Sequence, residues 1–145
     1  MEDVKILKLN NIESRLLPGA RSEEGGWMKR VVCPANVNTK GTVMGVSEVN
    51  PGYSPHRWHT HTIDRAEGYE IVYPEKFEEI YHIVSGSGVV QWKTEDGHIK
   101  EEKVGAGDTI FFPVGVAEHQ LYNNSSEKIV VIFCGSPIPI HKQIG

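Results

Sequence analysis

The chain is divided into short runs of β-favouring residues, and Gly, Pro, Asn and Asp recur between these runs. The runs are Val4–Leu9, Trp27–Val32, Thr42–Val49, Glu78–Val84, Val89–Lys93, His98–Val104, Thr109–Phe112, His119–Asn123 and Ile129–Phe133. Many short strands with frequent turn signals are typical of an all-β sandwich or barrel. The sequence shows no long amphipathic helix, internal repeat or low-complexity tract. We therefore predict a single antiparallel all-β domain over residues 1–145.

Two segments interrupt this rhythm of strands and tight turns. Residues 1–26 end in a polar, turn-rich stretch, which we expect to form an N-terminal arm or loop on the surface. Residues 62–77 form an insertion that is long for a connection in a compact β-domain, and such loops often cover binding sites. Within the insertion, Glu70-Ile71-Val72-Tyr73 favours a short strand that Pro74 would end. We expect this insertion to act as a lid.

The overall composition excludes several classes of protein. The formal net charge of −4 gives no reason to expect nucleic acid or an anionic membrane as a partner. No apolar run approaches the ~20 residues that a membrane span requires, and the first residues lack the pattern of a secretory signal. Cys33 and Cys134 are too few for a disulfide framework. We expect a cytoplasmic protein whose cysteines are buried and unreactive.

A set of metal-ligating side chains stands out against this background. His59-Thr60-His61 places two imidazoles on one face if the segment is extended, and Pro51 and Pro55 argue against a helix here. Glu79 and His119 lie further along the chain at the start of β-favouring runs. Three imidazoles and one carboxylate are a common way to hold a divalent first-row metal while leaving positions open for substrate.

The order of these residues and of the glycines around them resembles the two motifs of the cupin family. The first motif is matched by Gly52, His59, His61, Glu79 and Gly86. The second is matched by Gly107, Pro113, Gly115, His119 and Asn123. This resemblance implies a double-stranded β-helix, or jelly-roll β-barrel, that is often a homodimer. It also implies one divalent transition metal per chain (Fe, Mn, Ni, Co or Zn), held by His59, His61, Glu79 and His119.

The chain departs from the family pattern in two places. Residues 62–78 separate the second histidine from Glu79, whereas the family usually places these ligands a few residues apart. Glu67 and Glu70 in the insertion are alternative carboxylates, but neither precedes a glycine turn as Glu79 does. The second departure is one extra residue before His119, which leaves its spacing to Asn123 unchanged.

Strand alternation predicts which side chains share the cavity with the metal. If Glu79 points inward, Tyr81 does too, and we predict that this phenol is a catalytic acid or base. Arg57 and Gln91 are the candidates for substrate binding, and a guanidinium suits a carboxylate. We expect no chemical role for the histidines outside the two motifs, which are His56, His82, His98 and His141.

Three functions are compatible with this set of residues. The first is a metal-dependent enzyme acting on a small oxygen-rich molecule, of which a dioxygenase is slightly favoured because coordination positions stay open. The second is a redox-neutral lyase, isomerase or cyclase that uses Tyr81 to move a proton. The third is a non-catalytic sensor or small-molecule-binding protein. Fold alone does not choose among them.

Overall fold

The computed structural model describes residues 2–66 and 68–143, with the backbone alone for Gln143. Eleven strands and two short 3₁₀ helices, Leu9–Asn11 and Glu23–Gly25, make up its regular structure. The strands are β1 (Gly26–Val32), β2 (Val43–Val49), β3 (Ile63–Ala66), β4 (Tyr69–Val72), β5 (Glu78–Ser85), β6 (Ser87–Lys93), β7 (Ile99–Gly105), β8 (Thr109–Phe112), β9 (His119–Tyr122), β10 (Ile129–Ser136) and β11 (Ile140–Gln143). The all-β prediction is confirmed.

The strands form three antiparallel sheets. The largest has the order β1-β2-β10-β5-β8, and the second has the order β7-β6-β9. The crossovers between non-consecutive neighbours are those of a jelly roll. Alternate residues of β5 are buried, including Tyr81 and Ile83, as the alternation of Glu78–Val84 predicts. With Leu121, Ile129 and Val131 they belong to the main apolar core.

The third sheet consists of β4, which the sequence pattern predicted, and of β3 and β11, which it did not. It has the order β11-β4-β3, so the insertion forms a β-hairpin that pairs with the C-terminal strand. Ile71 and Phe77 of the insertion are almost fully buried, with 2% and 1% exposure. The insertion is therefore part of the wall of the fold. Glu67, the alternative carboxylate at its tip, lies outside the described residues.

The N-terminal segment is extended along the surface and is anchored at a few points. Val4–Leu9 is not a strand, and Val4 and Ile6 are 90% and 76% exposed. β-favouring residues do not form a strand without a partner edge and a face to bury. Further along, Arg15 forms a backbone bridge with Met28 of β1, and Leu17 is buried in the core.

Within the described part of the chain, no helix has the length and apolarity that crossing a membrane requires. The structure describes a single chain. The homodimer and the cytoplasmic location expected from the sequence stay predictions.

Candidate metal centre

Three of the four predicted metal ligands come together inside the fold. One ring nitrogen from each of His59, His61 and His119 lies within 4.8 Å of the others. The three residues are 4%, 8% and 0% exposed. Two backbone hydrogen bonds between His59 and His119, of 3.1 and 3.0 Å, align their segments side by side. This pairing makes neighbours of histidines that are far apart in the sequence.

Hydrogen bonds to the backbone turn two of these rings toward a common centre. The Nδ1–H of His59 donates to the carbonyl of Arg57 at 2.6 Å, and that of His119 donates to the carbonyl of Ala117 at 2.8 Å. Because a carbonyl oxygen only accepts, Nδ1 carries the proton in both rings and Nε2 keeps its lone pair. This is the usual orienting contact of a metal-bound histidine.

The Nε2 atoms of all three histidines are buried and have no hydrogen-bond partner. Buried polar atoms are normally satisfied, so their shared lack of a partner fits a group that binds them together. Burial lowers the pKa of His59 well below its usual value and that of His119 to about 3. Both rings are therefore neutral at physiological pH, which is the form that ligates a metal.

Glu79 lies at the edge of this cluster. One of its carboxylate oxygens is 3.3 Å from Nε2 of His61, and the side chain is 11% exposed. Two atoms that bind one ion at right angles, each ~2.1 Å from it, lie ~3 Å apart. The contact between Glu79 and His61 therefore fits adjacent ligands of one ion. The three histidine nitrogens fit a divalent transition metal, and Glu79 lies beside His61 but outside the set of groups within 4.8 Å of one another.

A buried polar network supports the histidine cluster from behind. The ring of His56 stacks on that of His59 at 3.5 Å between centroids, with an angle of 3° between the planes. Asp64 of β3 accepts hydrogen bonds from Arg57 at 3.1 Å and from Tyr69 at 2.8 Å, and contacts Nε2 of His56 at 2.6 Å. Because these partners favour the charged carboxylate, the pKa of Asp64 is lowered to about 2. His56, for which the sequence analysis expected no chemical role, thus packs against a candidate ligand, because its segment is not a regular strand.

A narrow cavity of about 50 Å³ reaches Glu79 and His56 beside the cluster, but none of the three histidines lines it. A cavity needs ~10–15 Å³ of such space for each water molecule, so this one suits a molecule of few heavy atoms. Its walls include Glu79, Tyr73, Phe77 and Tyr81. Burial, followed by the nearby Glu79 charge, raises the pKa of Tyr81 well above its usual range, so the phenol keeps its proton.

A second cavity, of about 370 Å³, lies between β6, β7 and β8 and reaches His119. Its walls are largely apolar and include Trp92, Ile110 and Phe112. The Phe112 ring stacks on His119 with centroids 4.5 Å apart, and its edge meets Tyr81 at 4.9 Å. Phe112 thus stands between His119 and Tyr81 and is an apolar wall of the metal centre.

The two residues predicted to bind substrate do not line the narrow cavity. The Arg57 guanidinium donates to Asp64 and to the carbonyls of Trp58 and Arg65, so it stabilises the network behind His59. Gln91 hydrogen-bonds Glu101 and Gln120 on the outer face of β6. The structure brings neither side chain to the histidine cluster.

Two other residues from the sequence analysis have structural surroundings. Asn123 donates to the carbonyls of Val49 and Glu127 and so holds a strand end. Glu70 pairs with Arg65, away from the histidines. Sequence reasoning missed Asp64 and Tyr73, although an aspartate within a β-favouring stretch was an available signal, since Asp is depleted in strands.

Comparison with known structures gives the same architecture. The polyketide cyclase RemF from Streptomyces resistomycificus is similar over 99% of this chain and 87% of its own, with a TM-score of 0.67 and 16% identity. A Cupin 2 conserved barrel domain protein from Salinispora arenicola CNS-205 is similar over 93% and 88%, with a TM-score of 0.57 and 18% identity.

The chain has the cupin fold. The same fold accounts for the likeness to Bacillus subtilis oxalate decarboxylase OxdC, with a TM-score of 0.63 and 19% identity, over 94% of this chain but 30% of that one. At these identities the likeness concerns the fold alone. No protein-family model matches the sequence, and no curated protein matches it significantly. Within this fold, the buried histidines at residues 59, 61 and 119 form a candidate metal site.

Proposed function

We propose that the protein is a divalent-metal-dependent enzyme that moves a proton on a small oxygen-rich substrate, as a lyase, isomerase or cyclase does. The histidine cluster carries this proposal, because its three Nε2 atoms are buried around one centre without a hydrogen-bond partner. Glu79 supplies the fourth ligand from the adjacent strand wall. The metal, when bound, polarises a carbonyl or acidifies a hydroxyl of the substrate.

The surrounding residues perform the proton transfer and exclude water. Tyr81 faces the cavity two residues after Glu79 and keeps its proton, so its hydroxyl donates a hydrogen bond or a proton to a substrate oxygen. Tyr73 lines the same cavity, and burial and the Glu79 charge raise the pKa of its phenol as well. Phe77 and Phe112 contact the edge of the His61 ring and leave little room for solvent.

A panel of diketones, hydroxy acids and sugar acids tests this proposal with metal-free and metal-reloaded protein. We expect turnover that depends on the metal and continues when O₂ is removed. Tyr81→Phe should lower kcat by ~10²–10⁴-fold, the usual contribution of a positioned acid or base, without changing metal content. Tyr122→Phe is the matched control, because Tyr122 lies on β9 three residues after His119 and does not line either cavity. Full activity of Tyr81→Phe would contradict the proposed role.

The second candidate function is a dioxygenase. The apolar rings of Phe77 and Phe112 around His61 favour it, because a dry site protects oxygen-derived species from side reactions. The same panel separates the two candidates, since a dioxygenase loses all turnover without O₂. Binding of metal and substrate without product under either atmosphere would support a sensor or binding protein instead.

A further inference from the structure

Arg30 of β1 lies on the same face of the large sheet as Tyr81, three strands away. Across the sheet, Arg30 pairs with Gly45, Gly45 with Phe133, and Phe133 with Tyr81. Directly opposed residues of antiparallel strands point to the same face. Strands ~4.8 Å apart place the Arg30 backbone ~14 Å from that of Tyr81 along the sheet. The two side chains, on one face of the sheet, both line the narrow cavity.

The Arg30 side chain carries a charge that no acidic group in the described chain neutralises. Its Nε is buried and makes no hydrogen bond, and no ion pair joins Arg30 to a described carboxylate. Burial and the positive charge of Arg15 both lower the pKa of Arg30, yet a guanidinium stays protonated at physiological pH. Arg30 is only partly exposed, and a partly desolvated cation without an ionic partner is less stable than a paired one. Its surroundings thus favour an anion from outside the chain.

The backbone around Arg30 is shaped to aim this side chain. The register of β1 against β2 shifts between Arg30 and Val32, so Val31 is an extra residue in a β-bulge. The Asn36 side-chain amide donates to the carbonyls of Arg30 and Val31, at 2.9 and 3.0 Å, and so fixes the bulge. Bulges beside sites commonly redirect a side chain. The direction of Arg30 is therefore set by two hydrogen bonds from a neighbouring loop.

His141 provides a second unpartnered polar atom at the same end of the cavity. It lies on β11, lines the cavity, and its Nδ1 is buried without a hydrogen bond. Burial, with the nearby Arg30 charge, lowers the pKa of His141 to about 3. The imidazole is therefore neutral and available as a hydrogen-bond donor through one nitrogen.

We propose that Arg30 and His141 bind a carboxylate of the substrate, so that the substrate is a small carboxylic acid whose other end reaches Glu79, beside the histidine cluster. The statement about the other end depends on the proposed function, whereas carboxylate binding by Arg30 does not. One guanidinium presents two parallel N–H groups that match the two oxygens of a carboxylate. The small volume of the cavity also favours a planar carboxylate over a bulkier phosphate.

Calorimetric titration with malonate, on metal-free and metal-reloaded protein, tests this assignment. Arg30→Gln should weaken malonate binding by roughly 10- to 100-fold in both forms, the loss expected for hydrogen bonds to a charged group. Arg30→Lys should fall between the wild type and Arg30→Gln, because it keeps the charge but not the paired N–H groups. Lys29→Gln is the matched control: it removes a cation from the same strand, and Lys29 lies over the Trp27 ring and does not line the cavity.

The outcomes separate this proposal from the proposed function. Malonate binding that is unchanged in Arg30→Gln, or equally weakened in Lys29→Gln, would overturn the role of Arg30, even if metal and turnover are present. Inorganic phosphate that binds more tightly than malonate would overturn the carboxylate class. If Arg30→Gln fails to fold, unchanged malonate affinity in a folded Arg30→Lys would also overturn the paired contact. Failure to retain metal, with the Arg30 effect intact in the metal-free protein, would contradict only the proposed function.

Discussion

Acidification should strongly destabilise the metal-free protein, because His119 and His141 are neutral when folded and take up protons when unfolded. His119 has a pKa of about 3 in the fold, against 6.5 for an ordinary histidine. Between these two values the unfolded chain binds one more proton than the folded chain. The free energy of unfolding therefore decreases as the pH falls through this window.

The magnitude follows from the same linkage. Each such histidine contributes ~1.4 kcal/mol per pH unit, so His119 alone removes ~3 kcal/mol between about pH 6.5 and 4.5. His141, whose pKa is also about 3, adds a similar amount. A loss of ~5 kcal/mol is comparable with the whole stability of many domains, which is ~5–15 kcal/mol. We expect the metal-free protein to unfold in mild acid.

Urea denaturation at a series of pH values, in the presence of a chelator, measures this dependence. His119→Gln should reduce its slope by ~1 kcal/mol per pH unit below about pH 6.5, whatever the variant does to stability at neutral pH. His98→Gln is the control, because the His98 side chain is 81% exposed whereas His119 is fully buried, so it should change the slope less than His119→Gln does. A slope in His119→Gln equal to that of the wild type would refute the reasoning.

Three further substitutions test the packing and the ligand set. Phe77→Ala should lower the free energy of unfolding by ~3–5 kcal/mol, since this ring is 1% exposed. Phe111→Ala, at a position that is 56% exposed, should lower it by less than ~1 kcal/mol. Urea titration measures both changes, and equal losses of stability would contradict the buried position of the insertion. Gly45→Ala should lower the free energy of unfolding by ~1–3 kcal/mol in the same assay, because an added methyl overlaps an aromatic ring and a backbone carbonyl. An unchanged urea midpoint would contradict that close approach. Glu79→Gln should weaken metal binding at least ~10-fold, whereas Glu78→Gln, on the outward face of the same strand, should leave it unchanged. Elemental analysis and competition with a chelator measure the bound metal. Equal metal content in the two variants would remove Glu79 from the ligand set.

Local sequence pattern predicted most of the strands because alternation and turn residues act over a few neighbours. Thr109–Phe112 was predicted with the bounds that the structure shows, and Asp96-Gly97 lies in the connection between β6 and β7 as expected. The pattern was wrong for two segments, one near each end of the chain. Val4–Leu9 has the composition of a strand but no partner, whereas Ile140–Gln143 becomes one because β4 offers a free edge.

The candidate ligands were predictable for a different reason. His59, His61 and His119 stand, relative to the nearby glycines, in an order that resembles the cupin motifs, although the insertion before Glu79 is unusually long. The rest of the site was not predictable. The ring of His56 stacks on that of His59, and its Nε2 contacts the Asp64 carboxylate. Asp64 lies in the β3–β4 hairpin, which pairs with the C-terminal strand β11.

The sequence by itself determined the alternation of buried and exposed residues, the turns, and the three imidazoles that a metal site requires. Only the tertiary structure decided which cations and acids share the cavity with them. Arg30 faces Tyr81 because a bulge and the register of four strands place it there, and Gln91 faces outward for the same kind of reason. Register and bulges are set by contacts between distant segments, and no local pattern contains that information.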